Sequence, residues 1–553
     1  MIARAGFALL VGTALAVGGL GCRDNAGQRP DFGSLDFSVE DLRAAPGGDG
    51  GTDGGADLKP GKDAAGSDAG PPALAPWPDS GTISTPAAPA EIVSTGTAGL
   101  LLRGTVLLPT GAIAGEVLVK DGLIACAQAD CSGAAGAADA TVIDTKGVIS
   151  PGLIDAHNHL AYNFLPEWVP NPAKLFNNRY EWAQDPQYEA FILPYAKHRS
   201  SGTHFCPAAK WGELRSIVHG TTTVQGQSFE QACVDWGARN ADNFHELGYD
   251  HMQTNIGSVR DLTDSDAATL IANFDAATDP TTRYAVHMAE GVSGANVDLE
   301  FDSFAGRDTR TNRHKGTSLL YKQTAVLIHS IPLTEAQLME AATTGSKIVW
   351  SPSSNLVLYG ATAPIQRILQ LGITTGLGPD WTPSGEDELL SEMRFALQYG
   401  VVSNIPELTT QKLWEMATRD GATVVGLDAK VGRIEVGLRA DLVVFARDAT
   451  DPYRAVIESR APDVRLVLID GVGWYGDAAL EAATARNTYC DMFEACGAAK
   501  YLCVVDSPTA TSRRNETYDD LRTQLYNILE GIGYPADEQY GRGSELLPLV
   551  QCP

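Results

Sequence analysis

The chain is poor in positive charge, in long apolar runs and in closely paired cysteines. Lys and Arg number 41 against 68 Asp and Glu, a formal net charge of −27 over 553 residues. A field of that sign repels phosphate backbones and argues against nucleic acid as a partner. Beyond residue 21 no apolar run reaches the roughly 20 residues a bilayer-spanning helix requires, which excludes a multi-span membrane protein. The nine cysteines include no CxxC pair, which disfavours a thiolate metal site. What is present suits a folded body. Hydrophobic residues make up 44% and charged residues 20%, enough for a sizeable core, and the length implies two to four units.

The first 22 residues have the form of an address. Arg4 precedes an apolar, small-residue stretch from Gly6 to Leu20, and Gly21-Cys22 follows, as in a secretory signal. A cysteine after a small residue resembles the bacterial lipobox, although Gly19 stands where that pattern usually has Leu. The expectation is a lipoprotein-type signal over 1–22, lipidation at Cys22, and export to the periplasm or the outer-membrane surface. A plain cleaved signal is the alternative. Residues 23–95 are built of Gly, Asp, Ala, Pro and Ser, a composition that predicts a disordered tether. Any membrane contact would then run through the lipid anchor alone. Eight cysteines remain, an even set that suggests disulfides in an exported chain. Cys126 and Cys131 are near enough to bridge, and Cys490, Cys496, Cys503 and Cys552 could staple the C-terminal segment to itself.

From about Leu100 the runs LLLRGTVLLP, GEVLVKDGLIACA and TVIDTKGVISPG read as strands separated by tight turns. Seven further apolar strands follow, in GVISPGLIDAH, IVHGTTTVQG, HMQTNIGS, RYAVHMAE, TAVLIHS, SKIVWSPSS and ITTGLGPD, with helical stretches between several of them. That alternation predicts an α/β fold with a parallel sheet or (β/α) barrel, an eighth strand being hidden. VGRIEVGLRADLVVFARD and DVRLVLIDGVGWYG return to strands. The predicted organisation is a β domain from 96–148 plus 432–477, a barrel over 149–431, and a Cys-bearing appendage over 478–553.

Several polar residues close separate apolar strands. His157 and His159 sit two apart in LIDAHNH, His287 ends RYAVH, His329 ends TAVLIH, and Asp380 ends ITTGLGPD. Alternate residues of a strand point the same way, and strand ends of a barrel share one mouth. Three imidazoles and a carboxylate suit Zn²⁺ or a similar divalent ion with a position left for water.

HNH after PGLIDA, then VHMAEG, LIHS, SPSSN and GLGPDW, in this order, resemble the amidohydrolase superfamily of metal-dependent hydrolases. ATRDGATVVGLDAKVGRIEVGLRADLVVF resembles the closing signature of its composite β domain. The resemblance covers roughly Leu100–Gly476. It implies a distorted (β/α)8 TIM-type barrel beside a β-sandwich made from both flanking segments. It also implies His157, His159, His287 and Asp380 as ligands of one divalent metal, zinc or else iron. His329 would hydrogen-bond the water or the substrate, with a second-metal ligand as its alternative role. Glu290 in HMAE matches the acid/base Glu of the cytosine deaminase, chlorohydrolase and nucleoside-deaminase-like branch, a surface carboxylate being the alternative. Asn355 and Thr222 would support the site, and His251 could touch substrate. Members that bridge two metals usually do so with a carbamylated Lys, and no Lys occurs between Met252 and His287, which favours one metal.

The expected activity is hydrolysis of a non-peptide carbon–nitrogen bond in a small molecule, as deamination of a cyclic amidine or heteroaromatic amine. The alternatives are an imidazolonepropionase-like or prolidase-like amide hydrolase, and a non-catalytic binding lipoprotein. The segment from Leu160 to Lys210 reads as a long aromatic loop over the pocket, in which Tyr162, Trp168, Tyr180 and Trp182, with Trp211 just beyond, either stack on a planar ring or pack the loop.

Overall fold

The computed structural model describes residues 84–552 except 169–173, 199–201, 227–235, 243–251, 256–258, 278–279, 317–319, 321, 449, 508, 510–513 and 533–545. Cys22, most of the tether and His251 lie outside the described residues. Among the described residues no helix is long and apolar enough to cross a membrane.

Among the described residues eight parallel strands follow one another in chain order: β1 (Leu153–Asp155), β2 (Thr221–Val224), β3 (Arg239–Asn240), β4 (Met252–Asn255), β5 (Arg283–Met288), β6 (Ala325–His329), β7 (Lys347–Trp350) and β8 (Thr375–Leu377). They form a three-stranded sheet, β1 to β3, and a five-stranded one, β4 to β8. The first and last strands meet: Ala156 N donates to Leu377 O at 3.0 Å, and Asp380 N to His157 O at 3.1 Å. The architecture is a TIM-barrel-like α/β fold. The strand hidden from sequence reading is β3, which has only two residues and no apolar run.

Alternation along β5 to β7 divides two cores. Ala285, Val326, Ile328 and Val349 join one cluster with Ile154 and Met252, while Val286, Leu327 and Ile348 join the larger one. Strands buried on both faces read as continuous apolar runs, and AVLIH and KIVW do. The intervening helices carry their own stops. In Glu335–Thr344, Thr334 and Gln337 form a capping box and Gly345 closes the helix at φ 74°, the conformation glycine adopts at least cost.

The flanking segments meet in one ten-stranded sheet. Leu442–Phe445 pairs antiparallel with Val148–Pro151, so strands from before and after the barrel are direct neighbours. Leu442 and Val444 enter a core with Leu102, Val117 and Ile149, whereas Val443 and Phe445 face the barrel's core. Folded structure begins earlier than composition indicates, because Glu91–Ser94 pairs with Thr141–Pro151, bringing Ile92 opposite Ile143. At the other end the hairpin of Asp491–Ala495 and Ala498–Leu502 extends the same sheet past residue 477. Cys490–Cys503 and Cys496–Cys552 staple this C-terminal part, and Cys126–Cys131 bridges locally.

The aromatic segment after His159 is more helical than a loop. It includes Arg179–Trp182, Pro186–Phe191 and Leu193–His198, followed by α1 (Gly202–Val218). Asn178 and Asp185 cap the first two of these, a start signal for short helices.

Candidate active site

All five strand-end groups converge. His157 lies 4.9 Å from His159, 4.8 Å from His287 and 5.5 Å from His329 between ring centroids. Asp380 Oδ1 is 3.0 Å from His157 Nε2 and 3.4 Å from His159 Nε2. Among the described residues His157, His287, His329 and Asp380 form a quartet whose ligand atoms lie within 4.8 Å of one another. All of these groups are buried.

Backbone conformation aims them. β1 ends two residues before His157, and the pairing of Asn158 with Asp380 carries the extended course onward. Gly378 lies against the His157 backbone so closely that a Cβ would come within 2.5 Å of its carbonyl oxygen, so only glycine permits that approach. Strict alternation would place His329 on the outer face with Leu327. Its φ of 67° breaks the alternation, and Asp380 has a φ of 72°. Left-handed non-glycine residues cost about 1–3 kcal/mol each and gather at functional sites.

A second layer holds these groups. His157 Nδ1 is 3.0 Å from Gln225 Oε1, and the Gln225 amide nitrogen donates to Asp242 and Thr254. His329 Nδ1 is 2.9 Å from Asn355 Oδ1, whose amide nitrogen donates to Thr362. Ser354 Oγ donates to Asp380 Oδ2 at 2.6 Å. Ser354 and Asn355 belong to α2 (Pro352–Tyr359), which opens with Pro352 in its first turn, the position proline tolerates in a helix. Asp155, its carboxyl pushed up to about 8 by burial, accepts from His157 N and from Asn158.

Burial holds the His157 and His329 imidazoles below their ordinary range and His287 well below it. Burial opposes the charge of Asp380, yet its contacts with His157 and His159 hold that carboxyl well below the usual range. Neutral rings beside an ionised carboxylate leave a proton deficit. A neutral imidazole has one N–H, whereas His157 faces two acceptors, Gln225 Oε1 and Asp380 Oδ1. His329 Nε2, with Nδ1 engaged by Asn355, has no hydrogen-bond partner among the described residues. Lone pairs converging in this way fit a divalent cation.

Glu290 follows β5 and joins the same centre. Its Oε2 lies 3.7 Å from His329 Nε2 and 4.0 Å from an Arg179 nitrogen. Its Oε1 accepts from the Tyr359 hydroxyl at 2.5 Å. Burial raises its carboxyl pKa against the pull of Arg179, so Glu290 is no surface group.

Thr222 is buried and packs against Gly152; among the described residues it makes no hydrogen bond to the histidines, so it serves packing. Among the aromatics, Trp182 reaches the site's surroundings, donating to Tyr359 at 2.7 Å and lying 5.8 Å from Trp381. Trp381 in turn meets His159 edge-on at 6.0 Å. Trp211 stacks instead on Tyr518 of the C-terminal helix α3 (Tyr518–Gly531). Sequence reading missed Gln225, Ser354, Tyr359, Arg179 and Trp381. Gln225 stands just past the end of β2, as His157 stands past β1, but β2 reads TTTV and carries no apolar run to mark it. Ser354 adjoins Asn355 in SPSSN. Nothing local marks Tyr359 or Arg179.

Residues 251–472 match the model of the Amidohydrolase family. The chain is 34% identical over 367 residues to a 5-methylthioadenosine/S-adenosylhomocysteine deaminase of Desulfitobacterium hafniense, covering 59% of this chain and 80% of that protein. It is 26% identical over 414 residues to a 5'-deoxyadenosine deaminase of Methanothermobacter thermautotrophicus, covering 69% and 94%. Among solved structures, a zinc-bound adenosine deaminase from Xanthomonas campestris is similar in fold, with TM-score 0.51, 20% identity and coverage of 79% of this chain and 99% of that one.

Proposed function

The chain belongs to the amidohydrolase family, and from that premise we propose that it is a metal-dependent deaminase of small heteroaromatic amines of the aminopurine type. It is a hydrolase of carbon–nitrogen bonds. The observation that carries the finer reading is the buried Glu290 beside a ring of histidines and Asp380. The relatives reported above are deaminases by name, which favours deamination over amide hydrolysis or binding alone.

In this reading one divalent ion, zinc or iron, is held by His157, His159, His287 and Asp380, on a distorted eight-stranded barrel flanked by the composite β domain. When bound, such an ion supplies a Lewis acid that brings water within reach of losing a proton near neutral pH. Asp380, ionised, takes one proton from the attacking water as its oxygen bonds to the amine-bearing carbon. Glu290, protonated, gives its proton to the adjacent ring nitrogen, which receives the electron pair of the carbon–nitrogen double bond. Glu290 then takes the proton of the new hydroxyl while Asp380 returns its own to the amine, and ammonia leaves as the carbonyl forms. A carboxyl raised by burial is suited to alternate between these roles. His329, held by Asn355, orients the water or the substrate through Nε2.

The same proposal includes export and a lipid anchor at Cys22, supported by the composition of residues 1–22; mass analysis of the mature N-terminus tests it. The activity is tested by ammonia release from a panel of aminopurine nucleosides and bases. Turnover by the native chain, lost by at least about a hundredfold in Glu290→Gln, is the expected result. A native, metal-loaded chain that releases no ammonia from any of them contradicts the substrate class.

A further inference from the structure

The contacts of Glu290 distinguish its two oxygens. Trp182 Nε1 lies 2.7 Å from the Tyr359 hydroxyl, and an indole N–H donates but never accepts. The Tyr359 oxygen therefore accepts a hydrogen bond from the Trp182 N–H and keeps its own proton to give. Its other partner is Glu290 Oε1, at 2.5 Å. A proton on Oε1 would turn the tyrosine's own proton away from Oε1, the acceptor it has among the described residues, and leave it buried without a partner, so Oε1 serves as the acceptor in either ionisation state of the carboxyl. Oε2 is the opposite case. It has no hydrogen-bond partner among the described residues and faces His329 Nε2, which has none either. The tyrosine reaches Glu290 from the last position of α2, one turn beyond the Asn355 that holds His329. The tryptophan reaches Tyr359 from the aromatic segment after His159.

We infer that Tyr359 and Trp182 are positioning residues that lock Glu290 Oε1 as a hydrogen-bond acceptor and reserve Oε2 for the travelling proton. This rests on the deamination proposed above. Oε2–H breaks as the ring nitrogen–hydrogen bond forms, and Oε2 is re-protonated by the hydroxyl of the tetrahedral adduct, so the carboxyl ends each turnover as it began. Throughout, the Tyr359 proton stays on tyrosine, and its hydrogen bond fixes the carboxyl plane so that Oε2 points at the substrate.

The test compares the full-length native chain with Tyr359→Phe and Trp182→Phe, loaded with zinc, by two readouts. In the first, kcat and KM are measured for the amine the native chain turns over best. In the second, the infrared carboxyl band of Glu290, identified by its loss in Glu290→Gln, is recorded without substrate. Tyr359→Phe is expected to lower kcat about tenfold or more with KM within about twofold, and to move the band to higher frequency because a strong accepted hydrogen bond is gone. Trp182→Phe frees the hydroxyl to turn and produces the same changes at smaller size. It also provides the measurement if Tyr359→Phe does not fold. A Glu290 band that stays in place in these variants overturns the inference, as does an unchanged kcat in a folded Tyr359→Phe. Should the native chain release no ammonia, the deamination reading fails by itself, while the infrared shift still decides whether the lock exists.

Discussion

The ring of groups on the strand ends and the shell that holds them are built differently. His157, His159, His287, His329 and Asp380 each stand at or just past the end of an apolar strand, so the barrel's parallel register brings them to one mouth whatever lies between them. Gln225 also stands just past a strand end, but Ser354, Asn355 and Tyr359 all ride on one short helix, α2. Through single hydrogen bonds that helix touches Asp380, His329 and Glu290 in turn. The ring supplies charge and lone pairs; the shell decides which atom of each group is free to use them. Metal ligands depend strongly on such outer partners.

The difference can be broken from the ring first. Asp380→Asn removes both the carboxylate opposite His157 and the base in the proposed proton path, and should lower turnover on the order of a thousandfold or more. An Asp380→Asn enzyme retaining a tenth of native activity in steady-state assays would deny the ring its role. Substitutions in the shell should cost less. Gln225→Leu and Ser354→Ala leave every ring member in place and are expected to reduce metal affinity or turnover about 10–100-fold, measured by competition with a chromogenic chelator and by kcat. Losses as large as that of Asp380→Asn would erase the distinction between the layers.

Sequence reading found the ring because its signal is local and repeated: an apolar run ended by a histidine or aspartate. The parity of β6, however, points His329 outward, and only its left-handed backbone returns the ring to the centre. No residue count announces that. Tyr359 and Arg179 were illegible for a related reason. Each meets Glu290 across more than sixty residues of chain, through a helix face and a capped turn whose directions depend on packing. β3 was illegible because two polar residues carry no period at all.

Acid provides a gentler test. The His287 ring sits well below its ordinary value of 6.5 chiefly through burial. Below pH 6.5 the unfolded chain binds a proton that the buried ring resists, so stability present above that pH is lost as pH falls toward the folded value. Melting of the metal-free native chain should therefore drop between pH 7 and 5, and less so in His287→Asn. Parallel curves for the two would show that the ring's burial carries no such cost.

The smallest effect on turnover belongs far from either layer. Cys126–Cys131 closes a short loop in the flanking sheet, and replacing both by Ser should lower stability by about 2 kcal/mol while kcat stays native. Urea unfolding and a turnover assay on the same preparation check both halves.

The most direct test of the account is metal content per chain by elemental analysis, on the native chain, Glu290→Gln and Asp380→Asn after dialysis without chelator. One equivalent of zinc or iron is expected in the native chain and in Glu290→Gln, which has lost its proton carrier alone, and none in Asp380→Asn. A native chain that holds no metal even after reloading, or a Glu290→Gln chain that loses its ion, would contradict it.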